Sequence, residues 1–325
     1  MFKDMKYALG IDIGGTSIKF AFVSERGDML EKVSMPVEKG APQEKTLKDL
    51  ITLIHENWAV NDEDVIGVGV GCPGGINPQK GTCDYATNLG WKDFDVVVPL
   101  KNAFHKQAYI ENDANAALLG EVYFGIAREY QNVVFLTLGT GVGSGLYLNG
   151  RIYSGNEGKG AELGHVSIDV NGRPCACGRK GCLEAYASAS ALCHDAAMAM
   201  VEHPESKMWD ICKAPQRMTG AVVFEAEKMG DPAAKQVVDN YISYLGQGCL
   251  NICNALRPEA IILGGGVSRQ GDNLSSRVQK YLAMNGYGLI KERAPKTSVL
   301  ISSLGSEAGI YGAAALCFER LKTKA

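Results

Sequence analysis

Leu138-Gly139-Thr140-Gly141-Val142-Gly143-Ser144-Gly145-Leu146-Tyr147-Leu148-Asn149-Gly150-Arg151 decides the fold, because the chain has already made the same move once. An apolar run, Val133 to Leu138, enters a Gly-Thr turn, a second apolar run leaves it, and Asn149-Gly150 ends it. Near the start, Tyr7 to Ile13 enters Gly14-Gly15-Thr16, Ser17 to Val23 leaves it, and Glu25-Arg26-Gly27-Asp28 turns the chain into a third strand, Met29 to Pro36. Superposing Gly139-Thr140 on Gly15-Thr16 brings the two turns into register within about one residue. An internal repeat on this scale predicts an α/β protein made of two halves of one architecture that face each other.

Neither hairpin is a dinucleotide fingerprint, since no helix follows the glycines, and neither ends in the Gly-Lys-Ser/Thr of a P-loop. Each is a tip able to lay backbone N–H groups and a threonine hydroxyl against phosphate. Two such tips on one cleft would grip a nucleoside triphosphate from both sides. Asp12 interrupts an apolar strand just before the first tip. An ionised carboxylate there needs a partner, either the turn itself or a metal-bound water.

Between the repeats, Pro42 opens a helix with Leu47, Leu50, Ile51 and Ile54 on one face. Val65 to Gly71 is a strand alternating with glycine, followed by the turn-rich Cys72-Pro73-Gly74-Gly75-Ile76-Asn77-Pro78 and the loop Asn88-Leu89-Gly90-Trp91. Ala108 to Glu111 is a strand that breaks at Asn112-Asp113-Ala114-Asn115 into a helix. Asp113 is placed to cap that helix, but three polar side chains at one corner exceed what capping requires.

After the second hairpin come Glu162-Leu163-Gly164-His165 and Cys175-Ala176-Cys177-Gly178-Arg179-Lys180-Gly181-Cys182-Leu183-Glu184. His165 with Cys175, Cys177 and Cys182 makes a three-thiolate, one-imidazole set suited to tetrahedral, structural Zn²⁺. A closed site has no open position for an activated water, so the expected work of the metal is to fix the loop that carries Glu162, His165 and Glu184. Residues 189–229 read as mostly helical without a motif, and Ala233 to Ala255 as one long helix. The strand Ala260-Ile261-Ile262-Leu263 ends in Gly264-Gly265-Gly266, either a plain tight turn or a bare backbone on which a flat ring can lie. Leu274 to Met284 is a helix, Val299 to Ile301 a last strand, and Gly309 to Leu316 a closing helix with a small-residue side.

Composition excludes several classes of function. The chain has 325 residues, 46% hydrophobic and 21% charged, which is enough apolar material for two cores. A net charge of −3 gives no electrostatic case for nucleic acid or anionic membrane. The seven cysteines outside the cluster are scattered, as free thiols in a reducing cytoplasm would be. The N-terminus is too short and polar for a signal peptide, and no apolar run is long enough to span a bilayer.

Ile11-Asp12-Ile13-Gly14-Gly15-Thr16, Glu111-Asn112-Asp113-Ala114-Asn115, Glu162-Leu163-Gly164-His165 and the cysteine run through Glu184 resemble the motifs of the ROK family of sugar kinases and repressors. Within that family the likeness is to the bacterial glucokinases, from about residue 7 to residue 316. The resemblance implies a two-domain actin-like, ribonuclease-H-like ATPase fold with ATP in an interdomain active-site cleft. It implies Asp113 as general base, and Gly75, Asn88, Asn112, Asp113, Glu162, His165 and Glu184 as the sugar-binding set. His165 then serves both zinc and sugar, through its two ring nitrogens. It implies Gly14, Gly15 and Thr16, with Lys19, and Thr140 and Gly141 as the phosphate motifs, Asp12 as the Mg²⁺-side carboxylate, and Gly265 and Gly266 as the adenosine motif.

The expected domains are 1–118 with 306–325, and 119–305, because in such folds the last helix returns to the first domain. The expected reaction is ATP-dependent phosphorylation of a hexose, above all glucose at its 6-hydroxyl. Other hexoses or N-acetylhexosamines (fructose, mannose, allose, N-acetylmannosamine, N-acetylglucosamine) differ only in pocket shape. A DNA-binding repressor is disfavoured, as few residues precede the first strand, and a sugar sensor has no need of a base. A homodimer or homotetramer is the assembly the resemblance suggests.

Overall fold

The computed structural model describes residues 5–287 and 296–322. Strands β1 (Tyr7–Ile13), β2 (Ser17–Ser24) and β3 (Val33–Pro36) form an antiparallel meander. Helix α1 (Gln43–Glu56) leads to β4 (Val65–Cys72), and β5 (Gly75–Asn77), β6 (Thr82–Ala86) and β7 (Trp91–Asp95) follow. Helix α2 (Val97–Phe104), strand β8 (Ala108–Asn112) and helix α3 (Asp113–Tyr123) come next. Then come β9 (Val133–Leu138), β10 (Val142–Leu148), β11 (Arg151–Ile152), and helices α4 (Glu184–Ala187), α5 (Ala189–Glu202), α6 (Met208–Ile211), α7 (Gly220–Lys228) and α8 (Pro232–Leu256). The chain finishes with β12 (Ala260–Gly264), α9 (Asp272–Asn285), β13 (Ser298–Ile301) and α10 (Ala308–Lys322).

The repeat seen in the sequence is a repeat of topology. One five-stranded sheet has the order β3-β2-β1-β4-β8, and the other β11-β10-β9-β12-β13. In both, three consecutive strands are followed by two that arrive through helical connections. The β10–β11 turn is Asn149-Gly150, with both residues at positive φ (52° and 74°), the two-residue hairpin turn that matches strand twist. Two expectations change. The third strand starts at Val33, not Met29, because Ser24 and Asp28 close a turn side chain to side chain and residues 29–32 leave the ladder, Met29 touching Val23 only as an isolated bridge. The small antiparallel sheet β5-β6-β7 was not expected; its strands are three to five residues long and too mixed to carry a period.

Chain contacts group Met1–Phe135, Gly145–Ala161 and Ser302–Ala325 into one compact unit, and Leu136–Ser144 and Glu162–Ile301 into another. A division at residue 118 would cut α3, which runs unbroken to Tyr123 and packs along α10. Within the first unit the Val-Gly alternation of β4 has a direct cause. Val68 and Val70 are fully buried on one face with Leu50 and Ile54 of α1. On the other face a Cβ at Gly69 would lie 1.7 Å from the Ala313 carbonyl oxygen of α10. Gly312 of α10 is equally tight against α3, where a Cβ would meet the Ala116 carbonyl oxygen at 1.5 Å. Only hydrogen fits in these seams.

Glu121 fixes the other end of α3. It is fully buried, and its carboxylate accepts from Ser302 Oγ (2.6 Å), Ser303 Oγ (2.8 Å), and the N–H groups of Leu304 (2.9 Å) and Ile126 (3.0 Å). It holds the turn that feeds α10. In the second unit α8 is the hub, with α5, α7 and α9 packed on it. Its start is Asp231, whose side chain caps Ala234 N–H, with Pro232 at the first helical position. Among the described residues no helix is long and apolar enough to cross a membrane. Replacing Glu121 by Ala removes the acceptor shared by four part-buried donors and is expected to lower the unfolding free energy by about 1.5–3 kcal/mol. Urea unfolding checks this, with Glu121→Gln falling in between.

Candidate active site

In the first unit, β1 brings Asp12 to the foot of the first glycine turn. Asp12 is paired across the ladder with Lys19 of β2. The Gly14 N–H is engaged by Ser17 O (2.9 Å), which closes the turn and leaves Gly15 and Thr16 exposed at its tip. Of the three residues expected to meet phosphate here, Gly14 has its N–H already engaged, and Gly15 and Thr16 are exposed. Asn88, read from the sequence as an isolated loop residue, lies against that tip: a Cβ on Gly15 would touch the Asn88 Cβ at 3.4 Å. Gly75 lies under the Tyr85 ring, where a side chain would collide at 2.4 Å.

The corner at the end of β8 divides its work among three residues. Asn112, not Asp113, caps α3: its side-chain oxygen accepts from Ala114 N (2.9 Å) and Asn115 N (3.4 Å), and its amide donates to Gly74 O (3.3 Å). That frees Asp113 from the capping role; its Oδ1 accepts from Ala114 N (2.9 Å), and the Asn112 side chain bonds it as well. Behind the corner, buried Glu111 accepts from Asn112 N (2.9 Å) and Asn115 Nδ2 (3.1 Å). Asn115 in turn accepts from Leu146 N (3.3 Å). Glu111 and Asn115 stand beside the catalytic-type residues in the sequence without a sign of this bracing role.

Burial raises the Asp113 carboxyl above its ordinary range, against bonds from the local backbone. Asp12 is pushed up to about 6, first by burial; Lys19 works against the rise and the Asp113 charge adds to it. Both carboxylates are held ready to take a proton or meet a cation.

In the second unit, the second tip closes through Gly139 N–H to Gly141 O (3.0 Å), with Thr140 exposed. Its outgoing strand is held by side chains: Gly143 N–H bonds Thr137 Oγ1 (3.0 Å), and Val142 N–H bonds Glu184 Oε2 (2.9 Å). Glu184 thus braces the hairpin as well as facing the loop, and a Cβ on Gly141 would strike its carboxylate at 2.1 Å. Glu162 enters the short turn Leu163–His165, which is anchored by Leu163 N–H to Ser144 Oγ (2.8 Å). Gly164 presses on the Val142 backbone, with room for no side chain. Gly265, at φ 82°, lies against the Leu138 backbone, while Gly266 faces open space, the bare surface a ring would need.

The four metal-type residues converge. His165 Nδ1 lies 3.7 Å from Cys175 Sγ, Cys177 Sγ lies 3.7 Å from Cys182 Sγ, and all four donor atoms fall within 4.8 Å of one another. A tetrahedron with Zn–S bonds of about 2.3 Å has S···S edges of about 3.7 Å, so the residues fit the ion. Burial raises the Cys175 thiol while the Arg179 N–H lowers the exposed Cys177 thiol, so a full set of thiolates calls for a cation between them.

The raised carboxyls have consequences for pH. Folded Asp12 binds its proton more tightly than unfolded Asp12, so its ionisation weakens the fold as pH rises from about 4 to about 6. Asp12→Asn is therefore expected to gain on the order of 2 kcal/mol at pH 7.5, a gain that shrinks on acidification towards pH 4. Thermal melts at the two pH values check it. If turnover requires ionised Asp12, the acid limb of kcat/KM should lie near pH 6 rather than near 4.

The family model described as ROK family matches residues 8–320. A glucokinase of Halalkalibacterium halodurans is 36% identical over 94% of this chain and 93% of its own. A glucokinase of Thermotoga maritima is 34% identical over 96% and 98%. The crystal structure of a ROK family glucokinase from Streptomyces griseus, in complex with glucose and AMPPNP, superposes with a TM-score of 0.82 at 29% identity, over 96% of this chain and 99% of that one. The fold is the actin-like ATPase fold of the ROK sugar kinases. The chain belongs to the ROK family.

Proposed function

We propose that this chain is an ATP-dependent glucokinase that transfers the γ-phosphoryl group of ATP to the 6-hydroxyl of glucose. The observation that carries the reading is the division of labour at the β8–α3 corner. Asn112 caps the helix, which leaves Asp113 a carboxylate whose bonds come from its own corner, the Ala114 N–H and the Asn112 side chain, and which burial raises above its ordinary range. Relatives called glucokinases over nearly the whole chain support the same reaction.

Phosphoryl transfer passes through a loose transition state, so catalysis is positioning and charge balance. Asn88, Asn112, Glu162, His165 and Glu184, with the bare backbone at Gly75, are the groups we assign to the sugar hydroxyls. Asp113 takes the proton of the 6-hydroxyl as the P–O bond forms. Backbone N–H groups of Gly15, Thr16, Thr140 and Gly141 receive phosphate oxygens, with Lys19 adding a positive charge. Gly265 and Gly266 are assigned to adenosine. Mg²⁺, for which Asp12 is the carboxylate we assign, supplies neutralising charge to the phosphates when bound. His165, Cys175, Cys177 and Cys182 would hold Zn²⁺, which when bound would make this loop rigid and supply no chemistry. His165 would hold it through Nδ1, the nitrogen 3.7 Å from Cys175 Sγ, and we assign Nε2 to the sugar.

The deciding test is ADP release with Mg-ATP over a panel of hexoses and N-acetylhexosamines. Glucose is expected to give the highest kcat/KM; a clear preference for another sugar would move the substrate assignment. Asp113→Asn should lower kcat by about 10²–10⁴-fold with little change in glucose affinity; near-normal turnover would remove it as base. Elemental analysis of protein purified without chelators should find one zinc per chain, and Cys177→Ser should lose it together with thermal stability. Wild-type activity in a zinc-free Cys177→Ser protein would show the cluster to be dispensable.

A further inference from the structure

Asp12 occupies space that only a glycine leaves open. A Cβ placed on Gly309 would lie 2.6 Å from Asp12 Cγ, and 2.7 and 2.9 Å from its two carboxylate oxygens. Both residues belong to the first unit. Gly309 is the second residue of α10, where its φ is not in the left-handed region. Nothing in the backbone there asks for glycine, and alanine would favour the helix. Gly312, one turn on, offers the contrast. A side chain at Gly312 meets the Ala116 backbone, which cannot yield, whereas the atoms nearest a side chain at Gly309 belong to the Asp12 carboxylate, which can turn about its own side-chain bonds. Substitution at Gly309 should therefore move a carboxylate and spare the fold.

The position of that carboxylate matters for two reasons. It faces Lys19 across the ladder and is close enough to feel the Asp113 charge. It also lies against the first turn of α10, the end of a helix dipole that favours a negative charge. We propose that Gly309 is a positioning residue for phosphoryl transfer: its missing side chain sets where the Asp12 carboxylate sits. The inference rests on the reading that Asp12 serves the nucleotide side of the reaction.

The test is a cycle of Gly309→Ala, Asp12→Ala and the double variant, reading kcat, KM for Mg-ATP, KM for glucose and the melting temperature. Gly309→Ala should melt at or above the wild-type temperature. Its kcat should fall by about 10- to 100-fold, with KM for Mg-ATP raised and KM for glucose little changed. In the Asp12→Ala background the same substitution should add nothing, because no carboxylate remains to displace. Binding of AMPPNP by calorimetry carries the same cycle where turnover is too slow to measure. Wild-type kinetics in Gly309→Ala beside an impaired Asp12→Ala would overturn the positioning role and leave the Asp12 reading standing. Equal losses in both backgrounds, or a Gly309→Ala protein that does not fold, would also overturn it. Wild-type kinetics in Asp12→Ala would remove the Asp12 reading and the proposal with it.

Discussion

The contact on which the first unit depends is backbone against backbone, where α10 lies on β1, β4 and α3. Side chains at Gly10, Gly69 or Gly312 would drive into the carbonyl oxygens of Ile310, Ala313 or Ala116, each at 2.2 Å or less. Dispersion falls steeply with a gap, so this approach gains packing that a larger residue could only remove. Its consequence is geometric. The strand carrying Asp12 and the helix beginning at Asp113 are registered against the same helix, so the relative placement of the two carboxylates follows from a packed seam. Glu121 continues the same logic at the far end of α3, where one buried carboxylate ties together a helix, a loop and the entry to α10.

Burying Asp12 and Asp113 works against folding. An isolated carboxylate out of water is costly, and here Lys19 offsets only part of the cost to Asp12, while the two aspartates repel each other. A chain selected for stability alone would place neutral residues at both positions. Their presence locates the part of the structure where stability yields to chemistry, and it does so by energetics rather than by resemblance.

Much of this was readable in the residues because local chemistry and global fold agree. The Gly-Thr hairpins announced a repeat that the two sheets realise strand for strand, and the Cys-x-Cys-x4-Cys run converged with a histidine ten residues upstream. What escaped was whatever depends on distant partners. The β5-β6-β7 sheet is too short for a period, and its strands exist through their pairing with one another. Asn112 and Asp113 are interchangeable as helix caps by residue type, and only geometry separates them. The bracing by Glu111, Asn115 and Ser144, and the clearance at Gly309, belong to contacts 31 to 297 residues apart wherever they join separate segments, except Ser144 with Leu163, at 19.

The second unit solves a different problem, since its residues 162–183 form only short turns and isolated bridges before α4. Such a segment has little apolar surface with which to hold functional groups still, and a four-ligand metal would supply rigidity that does not depend on a core. Glu184 would transmit it. One carboxylate oxygen receives the Val142 N–H at the second glycine hairpin, and the other lies 3.7 Å from the Cys175 sulfur. The metal-type cluster, the carboxylate and the hairpin are therefore one mechanical piece. On the assignments proposed above, a sugar hydroxyl bound through Glu184 would also bear on the strand beside Thr140 and Gly141, so sugar and phosphate recognition in this unit would share a single support.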